Sequence, residues 1–359
     1  MLNNNLFEIT ECIQQDINNN NKDVLIYAFN ATGKTRLTGE FKTDINKDER
    51  IEALCYNSIV EDFFIWNNEE KILMLDKSAW MFKIIDEEEL DYEISKVFSE
   101  FIDIKIDPNI DHKNGKIIFQ LASGDDESNA SIKISRGEET LFKWTIFYVI
   151  LKRAIDLLLE KEEDRSTHIF NNLKYVVIDD PVSSLDDYKI YTISNHITEL
   201  IKYIHEKNIN IKFLVLTHHS LFFNLFSNAL KNSKSLNCYV MLKNENGIIL
   251  KNINNSHLVV QHITTLKKIK TQINDNLLEK SCFNMFRSVA EKTAVFLGYS
   301  SWGELFRDYG KNERKFIQIV NMGSHEKYSE IEMNILTDEQ TQIFSDGFNW
   351  FINKYKFNI

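Results

Sequence analysis

Cysteine, proline and glycine are all scarce in this chain of 359 residues, at four, two and eleven. Cys12, Cys55, Cys238 and Cys282 lie far apart and form no CxxC pair. That excludes a disulfide framework and a cysteine-based zinc site, and it fits a reducing cytoplasm. With only Pro108 and Pro181, proline-rich linkers are excluded as well. No secretory signal is visible, because Met1 to Asn5 is polar where a basic segment and an apolar run would be needed. The densest apolar stretch, Leu141 to Leu159, is interrupted by Lys143, Lys152, Arg153 and Asp156. It reads as a buried amphipathic helix, and no membrane partner is expected. Internal repeats are missing too.

What is present suffices for a large core. Hydrophobic residues make up 43% and aromatics 12% of the chain, enough to offset the ordering entropy of folding. The length suggests about two domains. The net charge is −11, which at first sight argues against a nucleic-acid partner.

Strand-like runs at Val24–Asn30, Ile51–Tyr56, Lys116–Leu121, Ser131–Ile134, Tyr175–Ile178 and Lys212–Leu216 alternate with helical stretches, notably Glu138–Glu160, Asp187–His205 and Ser220–Leu230. Apolar runs of this kind suit strands buried on both faces, so an α/β sheet protein is expected. Two edge strands come next, at Cys238–Leu242 and Ile248–Leu250. Beyond about residue 255 the pattern is helical: Leu258–Gln272, Leu277–Leu297, Trp302–Arg307, Lys315–Val320 and Asp338–Lys356. The expected domains are therefore 1–255 and 256–359. The acidic stretch from Asp86 to Glu93 reads as a solvated helix face.

The strongest chemical signal is Ala28-Phe29-Asn30-Ala31-Thr32-Gly33-Lys34-Thr35, which lies between a strand and a helix. It matches the phosphate-loop pattern GxxxxGK[ST] except that Ala28 replaces the first glycine. In such a loop the backbone N–H groups cradle the phosphates of ATP or GTP, Lys34 reaches the outer two, and Thr35 holds Mg²⁺. The strand Tyr175–Ile178 delivers Asp179 and Asp180 at its C-terminal end, where open α/β sheets bind ligands. Asp179 is expected on Mg²⁺, and Asp180 is expected to orient the attacking water.

Three further segments refine the class. Ser135-Arg136-Gly137-Glu138-Glu139 resembles the signature motif of ABC-type ATPases, Ser183-Ser184-Leu185-Asp186-Asp187 resembles their D-loop, and Thr217-His218 resembles their switch histidine, with His219 as the competing choice. This resemblance implies that Ser135, Gly137, Glu138 and Asp186 meet a nucleotide held by a second subunit, in a head-to-tail homodimer or higher oligomer. Only about 100 residues separate Thr35 from Ser135, too few for the coiled coil of an SMC protein. A transporter subunit would usually show Leu-Ser-Gly-Gly-Gln, and a glutamate where this chain has Asp180.

Taken together, Ile26-Tyr27-Ala28-Phe29-Asn30, Gly33-Lys34-Thr35-Arg36-Leu37, the run from Glu61-Asp62 to Trp66, and Ile178 to Asp187 resemble the PrrC-type anticodon nucleases. The likeness continues through Arg287, Glu291-Lys292-Thr293, Phe296-Leu297-Gly298-Tyr299 and Ser324-His325, and this C-terminal run is what distinguishes the family. The resemblance implies an ABC-type (SMC/RecF-like) P-loop head followed by a mostly helical nuclease domain, with Asn30 and Arg36 joining the nucleotide site. It maps a catalytic triad onto Arg287, Glu291 and His325. It also implies cleavage of a tRNA anticodon loop beside the wobble nucleotide, tRNA-lysine among the candidates, and a latent anti-phage toxin silenced by a type I restriction-modification enzyme.

The residues make chemical sense of that triad. RNA carries its own nucleophile in the 2′-hydroxyl, so cleavage needs a base, an acid and a cation on the phosphorane, and no metal at the nuclease site. Glu291, if burial raises its pKa, and His325 would share the acid and base roles in either order, with Arg287 gripping the phosphate. The ordinary alternative is that Arg287 and Glu291, four apart on a helix, form a surface ion pair, although Arg-first is the weaker order. A Toprim nuclease is not expected, since no DxD occurs after Ser256, and His257, His262 and His325 lack zinc-ligand spacing. Departures from the pattern are Ala28 and Ala31 in place of loop glycines, and the missing Lys-Tyr-Gly-Asp stretch around Lys251–Ser256, which leaves the tRNA open. The rival reading is a RecF-like DNA-associated ATPase or scaffold.

The charge then divides along the expected boundary. Residues 256–359 carry 13 basic and 12 acidic side chains, and residues 1–255 carry 29 and 41. The acidity belongs to the head, leaving a modest basic surface suited to a short RNA loop.

Overall fold

The computed structural model describes residues 2–4, 6–30, 32–45, 51–57, 63–67, 72–102, 106–121, 131–183, 185–233, 235–244, 247–253, 261–322 and 336–359. The chain divides into two compact units, Met1–Leu258 and Val259–Ile359.

The first unit is built on a seven-stranded mixed sheet. Its strands are β1 (Leu2–Asn4), β2 (Asp23–Ala28), β3 (Ala53–Cys55), β8 (Tyr175–Asp179), β9 (Lys212–Thr217), β10 (Leu236–Asn244) and β11 (Gly247–Ile253), in the order β1-β11-β10-β2-β9-β8-β3. The five from β10 to β3 are parallel, while β11 and β1 are antiparallel. Every residue of β2 and β9 is buried, as continuous apolar runs require when both faces are covered. On one face α1 (Leu6–Asn18) and α2 (Lys34–Ile45) bury Ile9, Ile13, Leu37 and Phe41 with Ile26, Val177 and Leu216 of the sheet. Neither of the two strands expected at an edge is one: both are longer than their apolar cores, β10 lies between β2 and β11, and β11 lies between β10 and β1, which extends the sheet by one more strand.

A second, antiparallel sheet has the order β4-β5-β7-β6, with β4 (Phe64–Asn67), β5 (Ile72–Leu75), β6 (Ile106–Asp111) and β7 (Lys116–Leu121). Only β7 was legible as a strand. Pro108 sits in β6, at the edge, where a residue without an N–H is tolerated. Helices α3 (Trp80–Glu87), α4 (Asp91–Ser99) and α5 (Arg136–Leu159) accompany this sheet, and Phe142 of α5 meets Phe98 and Phe119 edge-on. The segment Ser131–Ile134 is not a strand. It leads into Ser135, whose hydroxyl accepts from the Glu138 N–H while the Glu138 carboxylate accepts from the Ser135 N–H, a capping box that starts α5. Most of the acidic stretch faces solvent, yet part of it binds: Asp86 and Asp91 flank the His112 ring at 2.9 and 2.8 Å, and Glu88 pairs with Arg153 at 2.8 Å. Further described helices of this unit are α6 (Asp187–Glu206) and α7 (Ser220–Ala229), with a 3-10 turn at Glu162–Asp164.

The second unit is helical throughout its described residues: α8 (Gln261–Asn274), α9 (Ser281–Phe296), α10 (Glu313–Met322) and α11 (Asp338–Lys354), with 3-10 turns at Trp302–Phe306 and Gly310–Asn312. Its core is aromatic. The Phe286 ring contacts those of Phe306, Phe316, Phe344, Phe348 and Phe351. Gly347 lets α10 and α11 approach closely, since a Cβ there would fall 2.1 Å from the Phe316 ring. Among the described residues no helix is long and apolar enough to cross a membrane.

Candidate functional site

Strand order explains the first cluster. Neighbouring parallel strands β2, β9 and β8 present their C-terminal ends side by side, so segments far apart in sequence converge. The phosphate loop leaves β2 at Ala28 and enters α2 at Lys34, with Gly33 at φ +101, a conformation that favours glycine. Lys34 is 8% exposed, and its ammonium contacts the Ala28 and Phe29 carbonyls at 3.3 and 3.4 Å, the Asn30 side-chain oxygen at 3.2 Å and the Asp180 carboxylate at 3.3 Å. The Thr35 hydroxyl donates to Asp179 at 3.2 Å, bridging 144 positions of sequence. Arg36 lies exposed on the first turn of α2.

Asp180 is the hub. It lies just past β8 in the left-handed region at φ +52, and its carboxylate takes the His218 ring Nδ1 at 2.6 Å, the His218 N–H at 2.9 Å and the Thr217 hydroxyl at 3.3 Å, in addition to Lys34. Burial alone would raise its pKa. The hydrogen bonds from His218, and the charges of His218 and Lys34, outweigh burial and hold it below the ordinary carboxylate value. It is His218 that reaches Asp180; the neighbouring His219 is the residue before α7, where its N–H donates to Thr217 Oγ1.

In the second unit α9 carries Arg287 and Glu291 on its solvent side, with Arg287 Nε donating to Glu291 Oε1 at 2.8 Å. The Glu291 side chain is 49% exposed. His262 of α8 has its pKa lowered, first by burial and then by the Lys292 ammonium, which places the start of α8 beside the later turns of α9. His325 lies outside the described residues, as do Ala31, Ser184 and the run 58–62.

Comparison with known proteins bears on both units at once. Residues 124–348 match a family described as AAA domain. A curated protein of Escherichia coli named anticodon nuclease is 34% identical, over 85% of this chain and 82% of its own length. The chain belongs to the anticodon nuclease family. Solved structures give looser likenesses. The SMC head bound to the C-winged helix domain of ScpA aligns at 12% identity with a TM-score of 0.36, over 65% of this chain and 90% of that one. The SMC head domain from Thermotoga maritima aligns at 10% and 0.32 over the same shares. Superpositions this loose carry no argument, and the head is assigned as an α/β, ABC-type ATPase from its own strands and its family.

For an anticodon nuclease family member with such a head, the first cluster fits a nucleotide with Mg²⁺. Thr35 and Asp179 offer hard oxygens within 3.2 Å of each other, the donor chemistry Mg²⁺ takes, and the N-terminus of α2 with Lys34 offers the positive end that phosphates take. When bound, the nucleotide supplies the phosphoanhydride to be split and Mg²⁺ the charge that polarises it. Thr35 and Asp179 would hold the metal, Lys34 the phosphates, and Asp180 the attacking water, with His218 holding a proton at its ring.

The signature and D-loop residues serve helix starts within their own chain. Ser135 and Glu138 are engaged in the α5 cap, and Asp186 caps α6 by accepting from the Lys189 N–H. Among the described residues nothing demands glycine at 137, where a Cβ would meet only Ser135 Oγ at 3.9 Å. Two members of this first cluster escaped sequence reasoning. The Asn57 amide donates to Asp179 at 3.4 Å, and the Tyr27 hydroxyl is pushed up to about 12 by burial and then by Asp180. Tyr27 lies in the run Ile26–Asn30 that carries the family resemblance, but that run gave it no role; Asn57 sits in no recognisable motif, and only its position just after an expected strand hinted at a sheet end.

Proposed function

We propose that this protein is a nucleotide-gated ribonuclease that cuts tRNA in the anticodon loop beside the wobble nucleotide. The observation that carries the reading is the 34% identity to an anticodon nuclease over 85% of the chain, a span too large for the head alone. The exposed Arg287–Glu291 pair supports it, because a phosphodiester must reach both side chains.

In this mechanism a base, Glu291 or His325, takes the proton of the 2′-hydroxyl. That oxygen forms a bond to phosphorus, the bond to the 5′-oxygen breaks, and the other residue protonates the leaving oxygen. The products are a 2′,3′-cyclic phosphate and a 5′-hydroxyl. Arg287 offsets the charge on the phosphorane oxygens. The head hydrolyses ATP or GTP with Mg²⁺ and gates the nuclease by pairing with a second head across two nucleotides, Ser135, Gly137 and Asp186 facing the partner's nucleotide. In the cytoplasm the protein acts as a latent toxin against phage, silenced by a type I restriction-modification enzyme. The working division is an NTPase domain over 1–255 and a nuclease domain over 256–359.

The test is expression of the full chain without neighbouring genes, with sequencing of tRNA ends. Cuts confined to an anticodon loop, carrying cyclic phosphates, are expected. His325→Ala should abolish them while nucleotide hydrolysis persists. Intact tRNAs with normal growth would instead favour the RecF-like ATPase reading.

A further inference from the structure

Tyr27 carries a polar group that the fold leaves unused. Its side chain is wholly buried in β2, and among the described residues its hydroxyl has no hydrogen-bond partner. Phe29 of the phosphate loop and Phe223 of α7 meet the ring edge-on, with centroids 5.5 and 5.9 Å away. Phenylalanine would fill the same space without the penalty of a hydroxyl taken from water and left unpaired. A polar group kept at such a cost points to a use in another state of the site.

Strand register shows what the hydroxyl faces. Tyr27 of β2 pairs with Thr217 of β9, and Leu216 of β9 pairs with Asp179 of β8, which sets Asp180 beside Thr217. Ile26 and Leu216 pack under α1 and α2, and alternate residues of a strand share a face, so Tyr27 and Thr217 point to the opposite side of the sheet. There the Thr217 hydroxyl donates to Asp180 at 3.3 Å. Tyr27, Thr217 and Asp180 thus stand in one row across three neighbouring strands. Strands lie about 4.8 Å apart, and the two spacings between Tyr27 and Asp180 are a gap that their side chains together can span. Burial, and after it the Asp180 charge, push the phenol up to about 12, so the oxygen keeps its proton and remains a donor.

We propose that Tyr27 is a positioning residue of the nucleotide site, whose hydroxyl becomes a donor to Asp180 when the Lys34 ammonium turns to phosphate. This rests on the nucleotide reading of the head and is independent of the nuclease. In the structure the Asp180 oxygens are taken by His218, Thr217 and Lys34, and the tyrosine waits. Once Lys34 leaves, a mostly buried carboxylate is short of one donor, and an unpaired buried acceptor is as costly as an unpaired buried hydroxyl. A contact between the two removes both penalties. Tyr27 then touches no nucleotide atom and acts only through Asp180.

The probes are fluorescent N-methylanthraniloyl ATP and GTP with Mg²⁺, titrated into the full chain, together with steady-state hydrolysis and thermal denaturation of the nucleotide-free protein. Tyr27→Phe should weaken nucleotide binding and raise KM by roughly 10- to 100-fold, the worth of one hydrogen bond to a charged group. The kcat should hold within about twofold, because the contact is present in both the bound and the transition state. Without nucleotide the denaturation midpoint should stay or rise, since no bond is lost there. In an Asp180→Asn background the same substitution should change affinity by no more than about twofold, as expected of a residue that works only through that carboxylate. A lower midpoint in nucleotide-free Tyr27→Phe overturns the proposal, because the hydroxyl would then serve the resting fold. So does a loss of affinity that is equal with and without Asp180→Asn. Binding by the parent chain that is indifferent to Tyr27→Phe removes the role of Tyr27 and leaves the nucleotide reading. A parent chain that binds neither nucleotide removes both.

Discussion

The two candidate sites differ in how much of the fold each draws on. In the first unit Lys34 and Thr35, Asp179 and Asp180, and His218 come from three different strand ends and are interlocked by contacts of 2.6 to 3.3 Å, Thr35 to Asp179 and Lys34 and His218 to Asp180. In the second unit Arg287 and Glu291 share one helix, and their contact joins positions four apart. A site assembled from distant segments exists only while the sheet does, whereas a site on one helix face needs only the helix and whatever is brought to it. Hydrolysis should therefore depend on the tertiary structure of the head, and RNA chemistry on how the loop is presented.

The largest effects should be on chemistry and should separate cleanly. Lys34→Ala should lower nucleotide hydrolysis by about 10³-fold, as loss of a charge facing transferring phosphate does. Glu291→Gln should lower RNA cleavage by about 10²- to 10⁴-fold and leave hydrolysis untouched. Steady-state assays of both activities on both variants check this, and a Glu291→Gln protein that cannot hydrolyse nucleotide would break the contrast. Next comes packing. Gly347→Ala forces the Phe316 ring to move and should destabilise the helical unit by about 1 to 3 kcal/mol, seen as an earlier calorimetric transition with the head's transition unmoved. Thr337→Ala removes a capping box from α11 and should cost about 0.5 to 2 kcal/mol in the same transition.

The smallest effect is confined to acid. Asp180 has its pKa lowered in the folded head, so its contribution to stability is present above the ordinary carboxylate value of 3.8 and is lost as pH falls through the lower folded value. Resistance of the wild type to denaturant should fall over that window, and Asp180→Asn should flatten the response.

Much of this contrast could be read from the sequence, for reasons the structure makes plain. The phosphate loop and Asp179-Asp180 were legible because each is a contiguous motif at the end of an apolar strand. The strands β4, β5 and β6 were not, being four to six residues long, with a proline in β6. Ser131–Ile134 misled by its apolar alternation, since this segment leads into the Ser135 helix cap and meets β7 through one hydrogen bond, from the Ile132 N–H to the Phe119 carbonyl at 2.9 Å, without extending it as a strand. Arg287 and Glu291 are spaced like countless surface ion pairs, and only the family resemblance singled them out. Asn57 joins the nucleotide cluster through strand order alone, which no local pattern reveals, and Tyr27, next to the phosphate loop in sequence, meets Asp180 only because β2 and β8 end together.

The ion pair between Lys34 and Asp180 carries a thermodynamic consequence. The lysine has an anionic partner supplied by the protein itself, so a phosphate that takes Lys34 displaces a carboxylate, and the net gain is a difference between two charge pairs. Binding is then an exchange reaction. Its free energy is tuned as much by how firmly His218 and Thr217 retain Asp180 as by the attraction of the loop for phosphate. The residue expected to direct water at the nucleotide thereby also competes with it, coupling affinity and readiness for hydrolysis through a single side chain.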